Sequence, residues 1–329
     1  MTPRVSVVIA AYNAAWCIER ALDGLVAQSR RPDEVLVCDD GSTDGMADLV
    51  ESRYSGFIRV LRLPHRNASA TRRVGLEQAT GDWLAFLDAD DWWKPVKLER
   101  QLAYLERHPE VRYCGTDGEL VSAEGVIRES WLSEYFTPLR DLHGDLMPLL
   151  IERCFPLLSS MMVERHAYYE VGGLDPEIER AYDYDLWLRC AARYPGAILA
   201  EPLIYYFSHP GSLSRNLEPR YRDDLTVMRR AAKGRYGRRP RVQSIAAERA
   251  AALELDLGIT CFRSGRWPEG RGHMARAAMA GPLRRRLVAA ASAVLPGYAV
   301  PRLMRSAWAK DVLRRNRRQP RTLAPGEAT

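Results

Sequence analysis

The sequence predicts an α/β protein with a mostly parallel central sheet and helices on both of its faces. Three observations carry this. Short apolar runs recur at Val5 to Ala11, Glu34 to Cys38 and Trp83 to Leu87, segments of helical spacing separate them, and two of the runs end in aspartates. A continuous apolar run reads as a strand buried on both faces, and its alternation with helices argues for a parallel sheet. The aspartates are Asp39-Asp40 and Asp88-Ala89-Asp90-Asp91. Carboxylates at strand ends would open onto the ligand crevice of such a sheet. They repel one another there unless a cation or a ligand's polar groups share the site. The pattern therefore points to a phosphate ligand held by Mg²⁺ or Mn²⁺, and to an enzyme that uses a nucleotide.

The elements follow in order. Val5 to Ala11 is the first buried strand, and Ile18, Leu22, Leu25 and Val26 give Ala15 to Ala27 a helical apolar stripe. Glu34 to Cys38 is the second strand. Ser42-Thr43-Asp44 offers N-cap chemistry for a helix to about Arg53. Ile58 to Leu63 is a third strand, Ala68 to Ala79 a helix stopped by Gly81, and Trp83 to Leu87 a fourth strand. Pro95 suits the first turn of a helix that runs to about Glu106. Beyond His108-Pro109 the rhythm changes. Arg112 to Val121 with Gly125 to Glu129 reads as a hairpin, and Ser159 to Val163 as a short strand. Helices follow at Arg165 to Val171 and Asp183 to Ala192, around a turn at Gly172 to Pro176, and Ile198 to Phe207 is strand-like. From about Tyr221 the chain is rich in Arg and Ala and reads as helical, with Pro296 and Pro301 interrupting it. The residues from about Asn316 read as disordered. The expected division is thus a catalytic domain over 1–225, a basic helical region over 226–315 and a tail over 316–329.

Composition limits the function. The 329 residues, 47% hydrophobic and 27% charged, suit a globular protein. The six cysteines, Cys17, Cys38, Cys114, Cys154, Cys190 and Cys261, are scattered without a C-x-x-C pair, so buried reduced thiols are expected. No apolar stretch reaches the roughly 20 residues that span a bilayer, and the N-terminus runs directly into a strand. A cytoplasmic protein is expected, one that could touch the inner face of a membrane. The net charge of +6 hides an asymmetry: from Val227 onward 23 Lys and Arg accompany 6 Asp and Glu, while the preceding residues carry 25 against 36. The basic part could attract an anionic membrane or a lipid-pyrophosphate acceptor, or form a solvated helical face. It lacks clustered aromatics and any nucleic-acid module, so nucleic acid is not an expected partner.

Several groups could carry chemistry. Tyr12-Asn13 follows the first strand, where a nucleotide base commonly sits; the alternative is that Asn13 caps a helix and Tyr12 packs. Asp39-Asp40 could accept hydrogen bonds from a ribose or a base N–H, or cap a helix. Asp88-Ala89-Asp90 places alternating carboxylates on an extended segment, where they can share one hard cation. Arg72 and Arg73 lie on the helix before that strand. Either could reach phosphate, or both could be a solvated face.

The order of these motifs resembles glycosyltransferase family 2. The resemblance rests on Ser-Val-Val-Ile-Ala-Ala-Tyr-Asn from Ser6, Asp-Asp-Gly-Ser-Thr-Asp from Asp39, the helix bearing Arg72, and Gly-Asp-Trp-Leu-Ala-Phe-Leu-Asp-Ala-Asp-Asp from Gly81. Tyr-Asp-Tyr-Asp-Leu-Trp-Leu-Arg from Tyr182 completes it, over about residues 3–215. The resemblance implies the GT-A fold and an inverting enzyme with a nucleotide-sugar donor, a UDP-sugar first, and a divalent metal. It also implies roles: Ala11, Tyr12 and Asn13 around the base, Asp40 bonded to the base with Asp39 behind it, and Arg72 near the nucleotide. Asp88 and Ala89 would lie beside ribose and metal, Asp90 would ligate the metal, and Asp183 would be the catalytic base. His209, after the last strand, could reach the metal or diphosphate, or be a structural loop histidine, and Gly211-Ser212 would suit a flap closing over the donor. The sequence departs from the family pattern at Ala10, often proline, at Arg73, often asparagine, and at Tyr182, usually acidic.

The expected reaction moves a sugar to the hydroxyl of a glycan or lipid-linked acceptor, in cell-surface polysaccharide or glycolipid synthesis. Asp183 would take the acceptor proton, with Asp185 the rival base pointing elsewhere along the helix. The alternatives are an inactive nucleotide-sugar-binding module and a sugar nucleotidyltransferase. The latter wants a Gly-rich loop with a basic residue after the first strand, which Ala10 to Ala15 lacks.

Overall fold

The structure, a computed structural model, describes residues 2–212, 217–279, 283–294 and 320–323. The N-terminal half alternates as its apolar runs predict. β1 (Val5–Ala11), β2 (Glu34–Asp39), β3 (Arg59–Arg62) and β4 (Trp83–Asp88) are joined by α1 (Ile18–Val26), α2 (Met46–Arg53) and α3 (Ala68–Gln78). β1 pairs in parallel with β2 and β4, and β2 with β3. Both faces of these strands are covered, so Val7, Val8 and Ile9 are all fully buried, as a run without alternation requires.

Next come β5 (Trp92–Trp93), α4 (Lys97–Arg107), β6 (Tyr113–Ser122), β7 (Gly125–Arg128), β8 (Phe136–Thr137), β9 (Leu142–Gly144) and α5 (Met147–Leu150). They are followed by β10 (Met162–Glu164), α6 (Arg165–Glu170), α7 (Tyr182–Ala191) and β11 (Gly196–Phe207). The sheet runs β3-β2-β1-β4-β10-β6-β11-β5, with β7 beside β6 and β9 beside β11. β10 is antiparallel to both of its neighbours, while β6 and β11 are parallel. The mostly parallel sheet flanked by helices agrees with the fold expected from the sequence. The expected hairpin is β6 with β7.

Two glycines fix the geometry near the crevice. A Cβ on Gly75 would lie 2.4 Å from Cys38 Sγ and 2.6 Å from a Val8 methyl, so only glycine lets α3 settle on β1 and β2. Gly41, at φ +76°, turns the chain after β2 with His65 N 3.0 Å from where a Cβ would stand.

Contacts divide the chain into two compact units: residues 1–146, 154–211 and 320–329, and residues 147–153 with 212–319. The second contains α8 (Leu217–Ala232), α9 (Pro240–Arg263), α10 (Trp267–Ala277) and α11 (Leu283–Val294). Many of its arginines are consumed internally. Arg229, Arg276 and His273 all bond the buried Glu254 carboxylate, and Arg222 and Arg266 both pair with Glu218 and Glu269. Pro296, Pro301 and Asn316 lie outside the described residues. Within the 316–329 tail, Arg321-Thr322 forms β12, which pairs with β8. Five cysteines are buried and Cys154 is half-buried.

Candidate active site

Register places the functional side chains. Ala10 stands opposite Asp88 and Ala11 opposite Asp39, so the carboxyl ends of β1, β2 and β4 finish level with one another. Strand direction and the lengths of the apolar runs are enough to gather both aspartate clusters on one edge.

On the β1–β2 side the loops lock together. Asn13 adopts φ +48°, which asparagine tolerates. Its N–H donates to Ser42 Oγ at 2.9 Å and its Oδ1 accepts from Thr43 N–H at 2.9 Å. Asn13 therefore ties two loops together and does not cap α1. Asp39 is buried and accepts from Ser42 N–H at 2.9 Å. Asp40 is buried as well. One of its oxygens accepts from Arg66 N–H at 2.9 Å and from the Thr71 hydroxyl, and the other lies 3.0 Å from His65 Nδ1. His65 in turn stacks on the half-exposed Tyr12 ring, centroids 4.2 Å apart. The side chains of Tyr12 and His65 thus reach solvent, while Asp39 and Asp40 lie beneath them.

A second cluster forms around Asp88. Arg72 is 1% exposed, so the reading of α3's arginines as a solvated face fails for it. Its Nη2 donates to Asp88 Oδ1 at 2.5 Å and its Nη1 to the Tyr182 hydroxyl, while its Nε finds no partner among the described residues. Burial works against the Arg72 charge, yet Tyr182 and Asp88 outweigh it and hold the guanidinium protonated. Burial also pushes the Tyr182 phenol up, so it stays neutral. Tyr182 is the first residue of α7, and its bond to Arg72 anchors the helix terminus that carries Asp183 in its first turn. Asp185 is buried in an ion pair with Arg189, with Nη2 at 2.6 Å and Nε at 2.8 Å, which leaves the half-exposed Asp183 as the accessible carboxylate of the two.

Asp88, Asp90 and Asp91 each offer an oxygen, and these atoms lie within 4.8 Å of one another. Asp90 Oδ2 is 3.0 Å from His209 Nε2, which comes from the segment after β11. His209 packs edge-on against the exposed Trp16 and stacks on Phe207. Burial first, and Asp88 second, push the Asp90 carboxyl up against the opposing pull of His209. Burial, then Asp90 and Asp88, push Asp91 up further. Three crowded carboxylates with an imidazole beside them form an oxygen-rich donor set that suits a hard divalent cation.

Asp91 plays a different part from its neighbours. It is 1% exposed, and both oxygens are engaged, Oδ2 by the Ser159 hydroxyl at 2.5 Å and Oδ1 by Phe207 N–H at 2.9 Å. Ser159 Oγ also accepts from Asp88 N–H at 3.0 Å. Sequence reasoning missed Ser159, His65 and the anchoring role of Tyr182. Only Tyr182, as a departure from the family pattern, left a signal. Ala89 is buried between the two aspartates. Gly211 and Ser212, the expected flap, follow His209 and are within the described residues.

Comparison with known proteins places this arrangement. Residues 6–148 match the family described as Glycosyl transferase family 2. The amylovoran biosynthesis glycosyltransferase AmsB of Erwinia amylovora is 32% identical over 211 residues, covering 61% of this chain and 68% of that protein. The chain spans only 30% of the length of an uncharacterised glycosyltransferase from Rickettsia felis, to which it is 30% identical over 193 residues. Among solved structures, S. aureus TarS 1–349 in complex with UDP-GlcNAc superposes with a TM-score of 0.69 at 17% identity, over 91% of this chain and 90% of that one. The mannosyltransferase PcManGT from Pyrobaculum calidifontis, in complex with GDP-Man and Mn²⁺, gives 0.56 at 20% identity, over 96% and 88%.

Proposed function

The chain belongs to glycosyltransferase family 2, and on that premise we propose that it transfers a sugar from a nucleotide-sugar donor to an acceptor hydroxyl with inversion. One observation carries the reading. The level carboxyl ends of β1, β2 and β4 collect two acidic clusters, and the Tyr182–Arg72–Asp88 link ties the helix bearing Asp183 to one of them.

The Tyr12 ring, its partner His65 and the Ala11–Asn13 backbone line the base side, over Asp39 and Asp40. The hydrogen bonds of Asp40 to Arg66 and Thr71 hold that floor rigid. Asp88, Asp90 and His209 would hold Mg²⁺ or Mn²⁺, which supplies positive charge against the leaving diphosphate. Arg72 orients Asp88 through the hydrogen bond between them. Asp183 accepts the proton of the attacking hydroxyl, a task that needs a carboxylate within hydrogen-bond reach. Inversion follows from a single in-line displacement, with this carboxylate on the acceptor side.

The donor is read as a UDP-sugar, supported by the UDP-GlcNAc complex of TarS; the GDP-Man complex of PcManGT keeps guanosine donors in the test. A polysaccharide acceptor is supported by the amylovoran role in the name of AmsB. Among the described residues no helix is long and apolar enough to cross a membrane, so a lipid-linked acceptor would be met at a surface.

Thermal shifts with UDP-, GDP- and TDP-sugars plus Mn²⁺ identify the donor, since a matched ligand stabilises by mass action. With that donor, Asp183→Asn should leave binding intact and lower the transfer rate by roughly 10²–10⁴-fold. Equal turnover in wild type and Asp183→Asn would remove Asp183 from the base role. Binding without any turnover in the wild type, across glycan acceptors, would leave a binding module.

A further inference from the structure

A second group of metal-ligating side chains lies apart from the aspartate clusters, at the far end of α4. Tyr104 is on the last turns of this helix, His108 is its C-cap residue, Glu110 follows in the turn, and His143 projects from β9. Glu110 Oε1 lies 3.0 Å from His143 Nε2 and 3.6 Å from His108 Nδ1, and the three donor atoms all fall within 4.8 Å of one another. A tetrahedral ion with bonds of about 2.0–2.1 Å sets its ligand atoms roughly 3.3–3.4 Å apart, so the contacts to Glu110 already approximate edges of such a tetrahedron.

Tyr104 prepares both imidazoles. Its hydroxyl is 2.9 Å from His143 Nδ1, the nitrogen turned away from Glu110. With Nδ1–H donating to that oxygen, Nε2 keeps its lone pair for a metal, as the partner behind a ligating histidine usually arranges. The Tyr104 ring also stacks on His108, centroids 4.4 Å apart at 29°, which limits the positions of that imidazole. His108, Glu110 and His143 are 37%, 48% and 22% exposed, so an ion can enter from solvent and retain water in its fourth position.

We propose that His108, Glu110 and His143 form a surface site for a borderline divalent transition-metal ion, typified by Zn²⁺, that clasps the end of α4 to β9. Two nitrogens and one carboxylate select such an ion over Mg²⁺ or Ca²⁺, which prefer all-oxygen sets. The cluster of Cys261, Glu269 and His273 lacks this character. Arg222 and Arg266 already pair with Glu269, and His273 bonds Glu254, so guanidinium charge occupies the place of a cation.

The test uses the full chain carrying Asp90→Ala, which weakens the carboxylate site, titrated with Zn²⁺ by calorimetry and with Co²⁺ by visible absorption. One equivalent of Zn²⁺ should bind and raise the melting temperature. Tyr104→Phe should weaken binding by roughly 10–100-fold, as loss of a partner behind a ligand does, and His143→Ala by at least as much. Bound Co²⁺ should show tetrahedral d–d bands without thiolate charge transfer. Affinity unchanged by His143→Ala would overturn the proposal, as would a thiolate band. Should His143→Ala fail to fold without metal, His108→Gln at its exposed position asks the same question.

Discussion

Lys97 offers the sharpest test of the structure. It lies in the first turn of α4 and is fully buried. Among the described residues its Nζ has no hydrogen-bond partner, and it sits 3.7 Å from the centroid of the Trp93 ring. Burial lowers its pKa from 10.5 to about 7, with a small opposing pull from Cys114. Between pH 7 and 10.5 the unfolded chain carries the proton and the folded chain sheds it, so stability rises with pH across that window. Below pH 7 both states carry the proton, and the full cost of about 5 kcal/mol is present, at about 1.4 kcal/mol per pH unit. From pH 7 to pH 9 the wild type should therefore gain about 2 kcal/mol. Lys97→Met removes the amine and nearly preserves the volume. It should stabilise the chain at pH 7 by about 2–4 kcal/mol, the lower figure allowing for imperfect repacking. Urea unfolding of both proteins at pH 7 and pH 9 measures this, provided the slopes match. Parallel pH dependences for wild type and Lys97→Met would refute the reasoning. The result bears on the site, because Trp93 Nε1 donates to Ser159 O at 2.7 Å and Ser159 holds Asp91.

Three further outcomes follow from the packing. Gly75→Ala drives a Cβ into Cys38 and Val8, so it should cost about 1–3 kcal/mol by urea unfolding and weaken donor binding through a displaced Arg72. Tyr182→Phe removes a hydrogen bond to a buried guanidinium and should destabilise by about 1.5–3 kcal/mol, with transfer rate falling more than donor affinity. In co-sedimentation with anionic liposomes at low salt, the basic region should carry the chain into the pellet and release it as salt rises; a chain that stays in the supernatant at low salt removes the membrane reading.

The readable part of the fold was the part specified locally. Val5 to Ala11 and Trp83 to Leu87 are apolar throughout because both sheet faces are covered, and their terminal aspartates mark the strand ends directly. Trp92–Trp93, Leu142–Gly144 and Arg321–Thr322 were missed because strands of two or three residues are specified by distant partners, here β11, β11 and β8. Helix α1 begins at Ile18, later than expected, and Ala15 N–H ahead of it donates to Asp44 Oδ2 at 2.8 Å from another loop. The same limit applies in the site. Asp88 and Asp90 were legible by spacing, but the burial of Arg72 beneath Tyr182 depends on α7, 110 residues further along the chain. The departure at Tyr182 then has a physical account. A phenol oxygen accepts from Arg72 without adding another negative charge beside Asp88.

Asp91 is the side chain most open to misassignment. It follows two candidate ligands and belongs to the same acidic run, yet its oxygens are committed to Ser159 and to the backbone of Phe207, two residues before His209. It acts as a gauge block, fixing the spacing between the Asp88–Asp90 turn and the strand that delivers the imidazole. An alanine scan would score Asp91 as a metal ligand, because removing it disturbs both sides of the site at once. Separating the two roles needs a substitution that keeps the side-chain shape and one acceptor oxygen while removing the carboxylate. Asp91→Asn preserves one acceptor and much of the spacing, whereas the same change at Asp90 removes a charged donor.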